Sequence, residues 1–187
     1  AYLVLPKFTK NLVLLIFSLI FYAWGELSYV PIILASIVVN FALGLMVGDK
    51  DNPTLSKFIL FLAVVFNLGI LAYFKYAEFF ISNINTLFAA NLPLFQVTLP
   101  LGISFFTFQA MSYVIDVYRG EAEAQKNPIN AGLYIALFPQ LIAGPIVRYH
   151  EIKQQLSHRQ ITRDGMSYVI QRFIIGLAKK VIIANNL

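Results

Sequence analysis

The chain has 187 residues, of which 59% are hydrophobic and 12% are charged. A typical globular domain has roughly 25% charged residues, so this composition excludes a soluble fold and predicts a surface covered largely by the lipid bilayer. The net charge of +5 is not arranged as a basic stripe with spaced aromatic residues, which excludes nucleic acid as a partner. The chain contains no cysteine, which excludes disulfides and thiol catalysis within it.

The first predicted elements form a helical hairpin. Residues 11–25 and 27–48 are uncharged, and the second stretch has the length of about 20 residues that crosses the hydrocarbon as a helix. Trp24 lies near the tip, as aromatic side chains do at a membrane interface. By the positive-inside rule, the cytoplasmic side is the one that carries the flanking lysines: Lys7, Lys10, Lys50 and Lys57.

The next elements are predicted to cross and return. Residues 58–74 cross outward and end at Lys75. Residues 83–100 contain several asparagines and a proline, which predicts an interfacial helix followed by a loop. Residues 101–117 are predicted to return inward as a helix.

The stretch 127–147 carries two conflicting signals. It is uncharged and long enough to cross the membrane, yet a cluster of basic residues follows it and indicates the cytoplasmic side. Both signals are satisfied if the segment enters and returns on one face. Pro139 and the Gly144-Pro145 pair would break the helix. Because irregular backbone at membrane depth must contact protein or water, residues 138–145 are expected to line a cavity.

Residues 154–163 are predicted to be a polar loop, and Asp164 is the expected N-cap of a final interfacial helix. The chain starts without Met and stops within an apolar stretch, so we expect an internal fragment, with residues 1–187 forming a single transmembrane region. The predicted fold class is therefore an all-α, polytopic integral membrane protein with re-entrant or broken helices.

The two histidines, His150 and His158, lie in a basic context that favours solvated interfacial side chains, although a catalytic role for His150 stays open. No cysteine or third histidine accompanies them, so no metal site is predicted. Asp116 and Arg119 are three residues apart on a predicted helix, a spacing that permits an ion pair at the membrane edge. The alternative is that they form the mouth of a cavity.

Several polar side chains interrupt the apolar stretch 101–117. They are interpreted either as contacts between helices or as a polar track along a substrate passage. No Ser-His-Asp set, phosphate-binding loop or pair of carboxylates is apparent, and no residue of the chain is predicted to be catalytic. The candidate cavity-lining or funnel-lining residues are Ser104, Gln109, Tyr113, Asp116, Arg119, Pro139, Gln140, Gly144, Pro145 and Arg148.

Four stretches resemble the membrane-bound O-acyltransferase family, on its branch of bacterial alginate O-acetylation and D-alanyl transfer proteins. They are residues 15–25, 73–77, 99–108 continuing to 115–120, and 138–148. Their order and spacing also match, and the resemblance covers nearly the whole chain. The last two stretches are the more specific, and the alginate O-acetyltransferase branch is the closer match.

The resemblance implies a multi-pass enzyme of the bacterial cytoplasmic membrane. Such an enzyme moves an acyl group, here expected to be acetyl, from a cytoplasmic donor toward an extracytoplasmic acceptor such as alginate. The expected donor is acetyl-CoA or an acyl carrier, no cofactor is bound covalently, and extracytoplasmic acetyl-transferring proteins are expected partners. The family's catalytic histidine falls beyond Leu187, so neither histidine of this chain matches it, and the fragment alone is expected to be inactive.

Alternative functions stay open at this point. Transporters also use broken helices with sites at mid-membrane, so a transporter or channel module is one alternative. Within the resembling family, the acceptor could instead be teichoic acid, peptidoglycan or cellulose.

Overall fold

The structure is a computed structural model. It describes residues 6–49, 51–88, 91–93, 98–141, 144, 146–157 and 162–185, and the described residues form helices and loops without strands. The chain divides into two compact units, Ala1–Ser157 and His158–Leu187.

The helices of the first unit follow one another through short connections. They are α1 (Lys7–Glu26), α2 (Val30–Val47), α3 (Pro53–Phe88), α4 (Ile103–Arg119), α5 (Pro128–Ala136), α6 (Phe138–Leu141) and α7 (Tyr149–Ser157), with a 3-10 turn (Leu27–Tyr29) between α1 and α2.

Helices α1 and α2 form a splayed hairpin with α5 between its arms. A Cβ atom placed on Gly132 of α5 would lie 3.3 Å from side-chain carbons of both Leu15 in α1 and Ile37 in α2. In one straight helix those two residues would be about 33 Å apart, at about 1.5 Å per residue. The chain therefore reverses direction at the 3-10 turn, which confirms the predicted hairpin.

Helix α3 continues well past the predicted end at Lys75, so that prediction was wrong. Its later asparagine and threonine side chains bond back to the preceding turn: Asn83 Nδ2 donates to the Phe79 carbonyl at 2.7 Å, and Thr86 Oγ1 to the Ser82 carbonyl at 2.9 Å. These polar groups are thus satisfied without ending the helix. At about 1.5 Å per residue the helix is about 54 Å long, more than the roughly 30 Å of hydrocarbon in a bilayer.

The core of the first unit lies where α4 packs against α2 and α3. Tyr113 of α4 is fully buried, and its ring occupies the space that a side chain at Gly44 of α2 would need. Deeper in the same interface, Asn40 of α2 and Asn67 of α3 are both buried and exchange side-chain hydrogen bonds. A small residue and a polar pair at helix contacts are typical of packing inside a membrane.

The segment after α4 travels from one end of the helices toward the other. Near the start of α5, Asn130 accepts a hydrogen bond from Asn11, close to the first residues of α1, at 2.7 Å. At the end of α6, the carbonyl oxygen of Leu141 lies 2.5 Å from where a Cβ of Gly102 would be, at the start of α4.

The same segment then returns to the end where it began. Tyr149 accepts a hydrogen bond from Gln125, which precedes α5, at 3.2 Å. The return over residues 141–148 can span roughly 23 Å when extended, at about 3.3 Å per residue. That reach matches the separation of about 21 Å between Gly102 and Asp116 along α4. The predicted break and same-side return are therefore confirmed, with the helix interrupted at Leu137, where the backbone is extended.

Helix α7 corrects the predicted loop 154–163, because residues up to Ser157 are helical. Its first turn buries Tyr149 and its last turn buries Leu156, while the side between them is polar. The remaining part of that loop up to residue 161 lies outside the described residues.

In the second unit, α8 (Arg163–Ala178) continues as a π-helix (Lys179–Ala184). Its N-cap is Thr162, whose hydroxyl accepts from the Gly165 backbone N–H at 3.1 Å. The prediction of Asp164 as the cap was wrong by two residues. A threonine hydroxyl can fill this role as well as a carboxylate.

Two stretches, Thr9–Val47 and Pro53–Phe88, are long and apolar enough to cross a membrane. Their outer faces carry large exposed apolar side chains, among them Phe17, Phe61 and Phe79, each more than half exposed. Exposed apolar surface on this scale indicates contact with lipid or with further protein. We therefore treat the chain as part of a membrane protein.

Candidate functional site

A histidine and two carboxylates meet where α4 ends and α7 begins. The Oδ2 atom of Asp116 accepts hydrogen bonds from both the backbone nitrogen and the ring Nδ1 of His150, each at 3.0 Å. The Oε2 atom of Glu121 lies 3.3 Å from the same ring nitrogen. The Asp116 side chain is only 3% exposed, whereas those of His150 and Glu121 are 30% and 39% exposed. The cluster is thus open to solvent on one side.

The end of α4 brings Glu121 back toward Asp116. Gly120 adopts the left-handed conformation with φ 76°, as is common at a helix C-terminus. The backbone nitrogens of Glu121 and Ala122 then donate to the Asp116 carbonyl at 3.0 and 3.2 Å. Lys153 of α7 donates to the Glu121 carbonyl at 3.4 Å, which links the turn to α7.

His150 is held in place by the tyrosine that precedes it. The Tyr149 ring packs edge-on against Tyr113 and Tyr134, with centroid distances of 4.8 and 5.1 Å. Gln125 donates from its backbone to the Tyr113 hydroxyl at 3.1 Å and from its side chain to the Tyr149 hydroxyl. Burial raises the pKa of the Tyr149 phenol, so this anchor stays neutral at physiological pH.

The geometry corrects two predictions. His150 is not a freely solvated side chain, because its ring is bonded to a buried carboxylate. Asp116 pairs with His150 rather than with Arg119, which is exposed at the last turn of α4. With its proton on Nδ1 facing the carboxylate, the neutral imidazole presents a lone pair at Nε2, the orientation that a carboxylate gives to a histidine base.

The same three side chains have the donor atoms of a metal site. One ligand atom from each of Asp116, Glu121 and His150 lies within 4.8 Å of the others. The sequence argument against a metal site considered only cysteine and a third histidine, whereas the folded chain supplies two carboxylates. Asp116 and Glu121 are close in sequence, but nothing in the sequence indicates that His150 joins them.

A second polar contact links α4 to the re-entrant segment. Gln109 donates to the side-chain oxygen of Gln140 at 3.1 Å and to the Tyr134 carbonyl at 3.4 Å. Gly144 returns close to Gln140, where an added Cβ would be 2.7 Å from its Cα. Ser104 is half-buried on α4.

The other predicted lining residues are dispersed. Pro139 and Arg148 are exposed, and Pro145 and His158 lie outside the described residues. Arg119 lines a cavity of about 400 Å³ between the α2–α3 connection and the end of α4, together with Val47, Asp49, Pro53, Ser56, Val117, Tyr118 and Gly120. A lining role for residues 138–145 stays a prediction.

Comparisons with known proteins bear on this architecture. The chain is 39% identical over 191 residues to a probable alginate O-acetylase of Azotobacter vinelandii, an alignment that covers 100% of this chain and 38% of that protein. It is 41% identical to the corresponding protein of Pseudomonas syringae, over 95% of this chain and 35% of the relative. It is 31% identical to a peptidoglycan O-acetyltransferase of Helicobacter pylori, over 99% of this chain and 41% of the relative.

The chain is homologous over its whole length to bacterial O-acetyltransferases. This confirms the resemblance to the membrane-bound O-acyltransferases on which the sequence analysis relied. The chain spans 38% of the length of the Azotobacter relative. No protein-family model matches the chain, and no solved structure matches it.

Proposed function

We propose that this chain belongs to a bacterial membrane O-acyltransferase that acetylates an exopolysaccharide such as alginate. The observation that carries the proposal is the 39% identity to a probable alginate O-acetylase over 100% of the chain. The acyl donor is acetyl-CoA or an acyl carrier on the cytoplasmic side, and extracytoplasmic acetyl-transferring proteins complete the transfer.

The shape of the re-entrant segment supports a role in moving a group into the membrane. Helix α5 lies between the arms of the α1–α2 hairpin, and Leu141 reaches the far end of α4 at Gly102 before the chain returns. The peptide groups around the break at Leu137 cannot be left to lipid, because each unsatisfied group costs several kcal/mol. A protein-lined or water-lined passage along this segment would meet that requirement.

Arg148 is the residue of this segment that we assign to the donor. It is exposed where the segment returns to the end that carries Asn11 and Gln125. A guanidinium binds a phosphate or carboxylate with two parallel hydrogen bonds, which lysine cannot copy. The phosphates of coenzyme A or of a carrier's prosthetic arm would present such groups.

The proposed location is the cytoplasmic membrane, crossed several times. The lysine-bearing ends of the α1–α2 hairpin and the basic residues after Val147 share the cytoplasmic side, by the positive-inside rule. The same-side return of the segment between α5 and α7 supports this arrangement. The catalytic centre of the complete enzyme is expected outside this chain, with the chain forming walls and an entrance.

Peptidoglycan is the second candidate acceptor, because of the 31% identity to the Helicobacter pylori peptidoglycan O-acetyltransferase. Deletion of the gene separates the two candidates. The O-acetyl content of secreted polysaccharide and of purified peptidoglycan would be measured by NMR before deletion, after deletion and after complementation. Loss of acetyl from the polysaccharide alone is expected. Loss from peptidoglycan alone would favour the second acceptor, and no change in either would reject both.

A further inference from the structure

The cluster at the end of α4 has more negative charge than its imidazole can balance. The Asp116 and Glu121 carboxylates both lie within 3.3 Å of one ring nitrogen of His150. That nitrogen carries at most one proton, so it can donate a well-directed hydrogen bond to only one of them. A protonated imidazolium balances one negative charge, whereas a divalent cation balances both. The charge matters because the Asp116 side chain is 3% exposed.

The spacing of the donor atoms also fits a metal ion. Zinc binds histidine nitrogen and carboxylate oxygen at about 2.0–2.2 Å in tetrahedral geometry, which places neighbouring ligand atoms about 3.3–3.5 Å apart. The two nitrogen–oxygen separations in the cluster are 3.0 and 3.3 Å. A small adjustment of the exposed Glu121 and His150 side chains would therefore bring all the donor atoms to one ion.

We propose that Asp116, Glu121 and His150 bind a single divalent transition-metal ion, with Zn²⁺ the ion that this donor set and geometry fit well. The site goes beyond the proposed acetyl transfer and does not depend on it. One imidazole and two carboxylates complete three positions, and water or a small anion takes the fourth. The ion joins the end of α4 to the start of α7, the two ends between which the re-entrant segment runs.

The backbone holds the ligands in place before any metal arrives. The left-handed Gly120 and the hydrogen bonds to the Asp116 carbonyl fix the turn that carries Glu121. The packing of Tyr149 between Tyr113 and Tyr134 fixes the first turn of α7. Supporting contacts of this kind typically raise metal affinity by 10-fold to 100-fold, a flagged range of about that order.

The test is metal binding by the complete protein purified in detergent. The protein is equilibrated with Zn²⁺, freed of excess ion and analysed by mass spectrometry for zinc per protein, with Co²⁺ absorption as a second probe. Wild type is expected to retain about one ion, with tetrahedral Co²⁺ bands. Glu121→Gln and His150→Gln are expected to bind at least about tenfold more weakly. Glu123→Gln, which removes an exposed carboxylate two residues from Glu121, is the matched control and should bind as wild type does.

Two results would overturn the proposal. The first is wild-type protein that retains no zinc, which would leave an imidazolium ion pair in the cluster. The second is zinc bound equally by Glu121→Gln and wild type, or weakened equally by Glu123→Gln, which would show non-specific binding. Because Glu121 is partly exposed, its variant tests the site even if His150→Gln fails to fold. Acetyl transfer is not part of the readout, so the failure of either proposal is recognised separately.

Discussion

Asn40 and Asn67 bind each other through both amide groups, with Asn67 Nδ2 donating to Asn40 Oδ1 at 2.7 Å and Asn40 Nδ2 donating to Asn67 Oδ1 at 3.1 Å. Each amide also donates within its own helix, to the Ser36 carbonyl at 2.9 Å and to the Ala63 carbonyl at 2.8 Å. Both side chains are buried between α2 and α3. The pair therefore fixes the register of two otherwise apolar helices.

Removing one member of this pair should destabilise the protein. Asn67→Ala leaves the buried Asn40 amide partly unsatisfied, and we expect a loss of about 1–3 kcal/mol in the free energy of unfolding. A double-mutant cycle with Asn40→Ala should give a coupling energy of about 0.6–1.7 kcal/mol. The measurement is reversible unfolding in detergent. Asn83→Ala, on an exposed part of α3, is the control, and additive single effects at Asn40 and Asn67 would disprove the coupling.

The start of α4 should not accept a side chain. Gly102 has φ 72°, and an added Cβ would lie 2.5 Å from the Leu141 carbonyl oxygen. Gly102→Ala is therefore expected to lower stability by more than about 1–2 kcal/mol, the cost of a left-handed alanine alone. It should also raise protease sensitivity between α6 and α7. Gly69→Ala is the control because nothing lies within 4 Å of its added Cβ. Equal stability of the two variants would contradict the contact between Leu141 and α4.

The same-side return can be tested with an impermeant thiol reagent, because the chain has no cysteine. Asp51→Cys and Glu151→Cys should be labelled from the cytoplasmic side, since the structure places both at the same end of the helices. Leu92→Cys, beyond the far end of α3, should be labelled only from the opposite side. All three positions are exposed. Labelling of the first two from opposite faces would refute the re-entrant arrangement.

The assignment of Arg148 to the donor predicts a specific loss of activity. Arg148→Lys keeps the positive charge but loses the paired hydrogen bonds of the guanidinium, so acetyl transfer by the complete protein should fall severalfold at unchanged membrane abundance. Lys126→Arg, also exposed and outside the segment, is the control and should leave transfer unchanged. Wild-type activity in Arg148→Lys would mean that Arg148 only anchors the segment to lipid headgroups.

The sequence predicted the overall path of the chain because that path is set by apolar length, proline and charge. The hairpin, the inward helix α4 and the break near Pro139 all follow from these signals. The end of α3 could not be predicted in this way. Asn83 and Thr86 are loop-forming in many contexts, and only their bonds to the preceding helical turn show that they continue a helix here.

The candidate site was less accessible to prediction from sequence. Asp116 and Arg119 have the spacing of an ion pair on a helix, but the left-handed turn at Gly120 directs Glu121 toward Asp116 instead. His150 arrives from α7 only because the intervening segment returns to its starting end. Such a contact depends on tertiary structure and has no local sequence signal.

Acetyl transfer by the complete protein tests the central claim most directly. The purified protein would be reconstituted in vesicles with its extracytoplasmic partners, radiolabelled acetyl donor outside, on the exposed cytoplasmic face, and unacetylated alginate or peptidoglycan fragments inside. The account predicts label in ester linkage on the alginate, released by mild base and absent from vesicles without the protein. Vesicles that carry no label on any acceptor, although the donor is intact and the protein is folded, would contradict it.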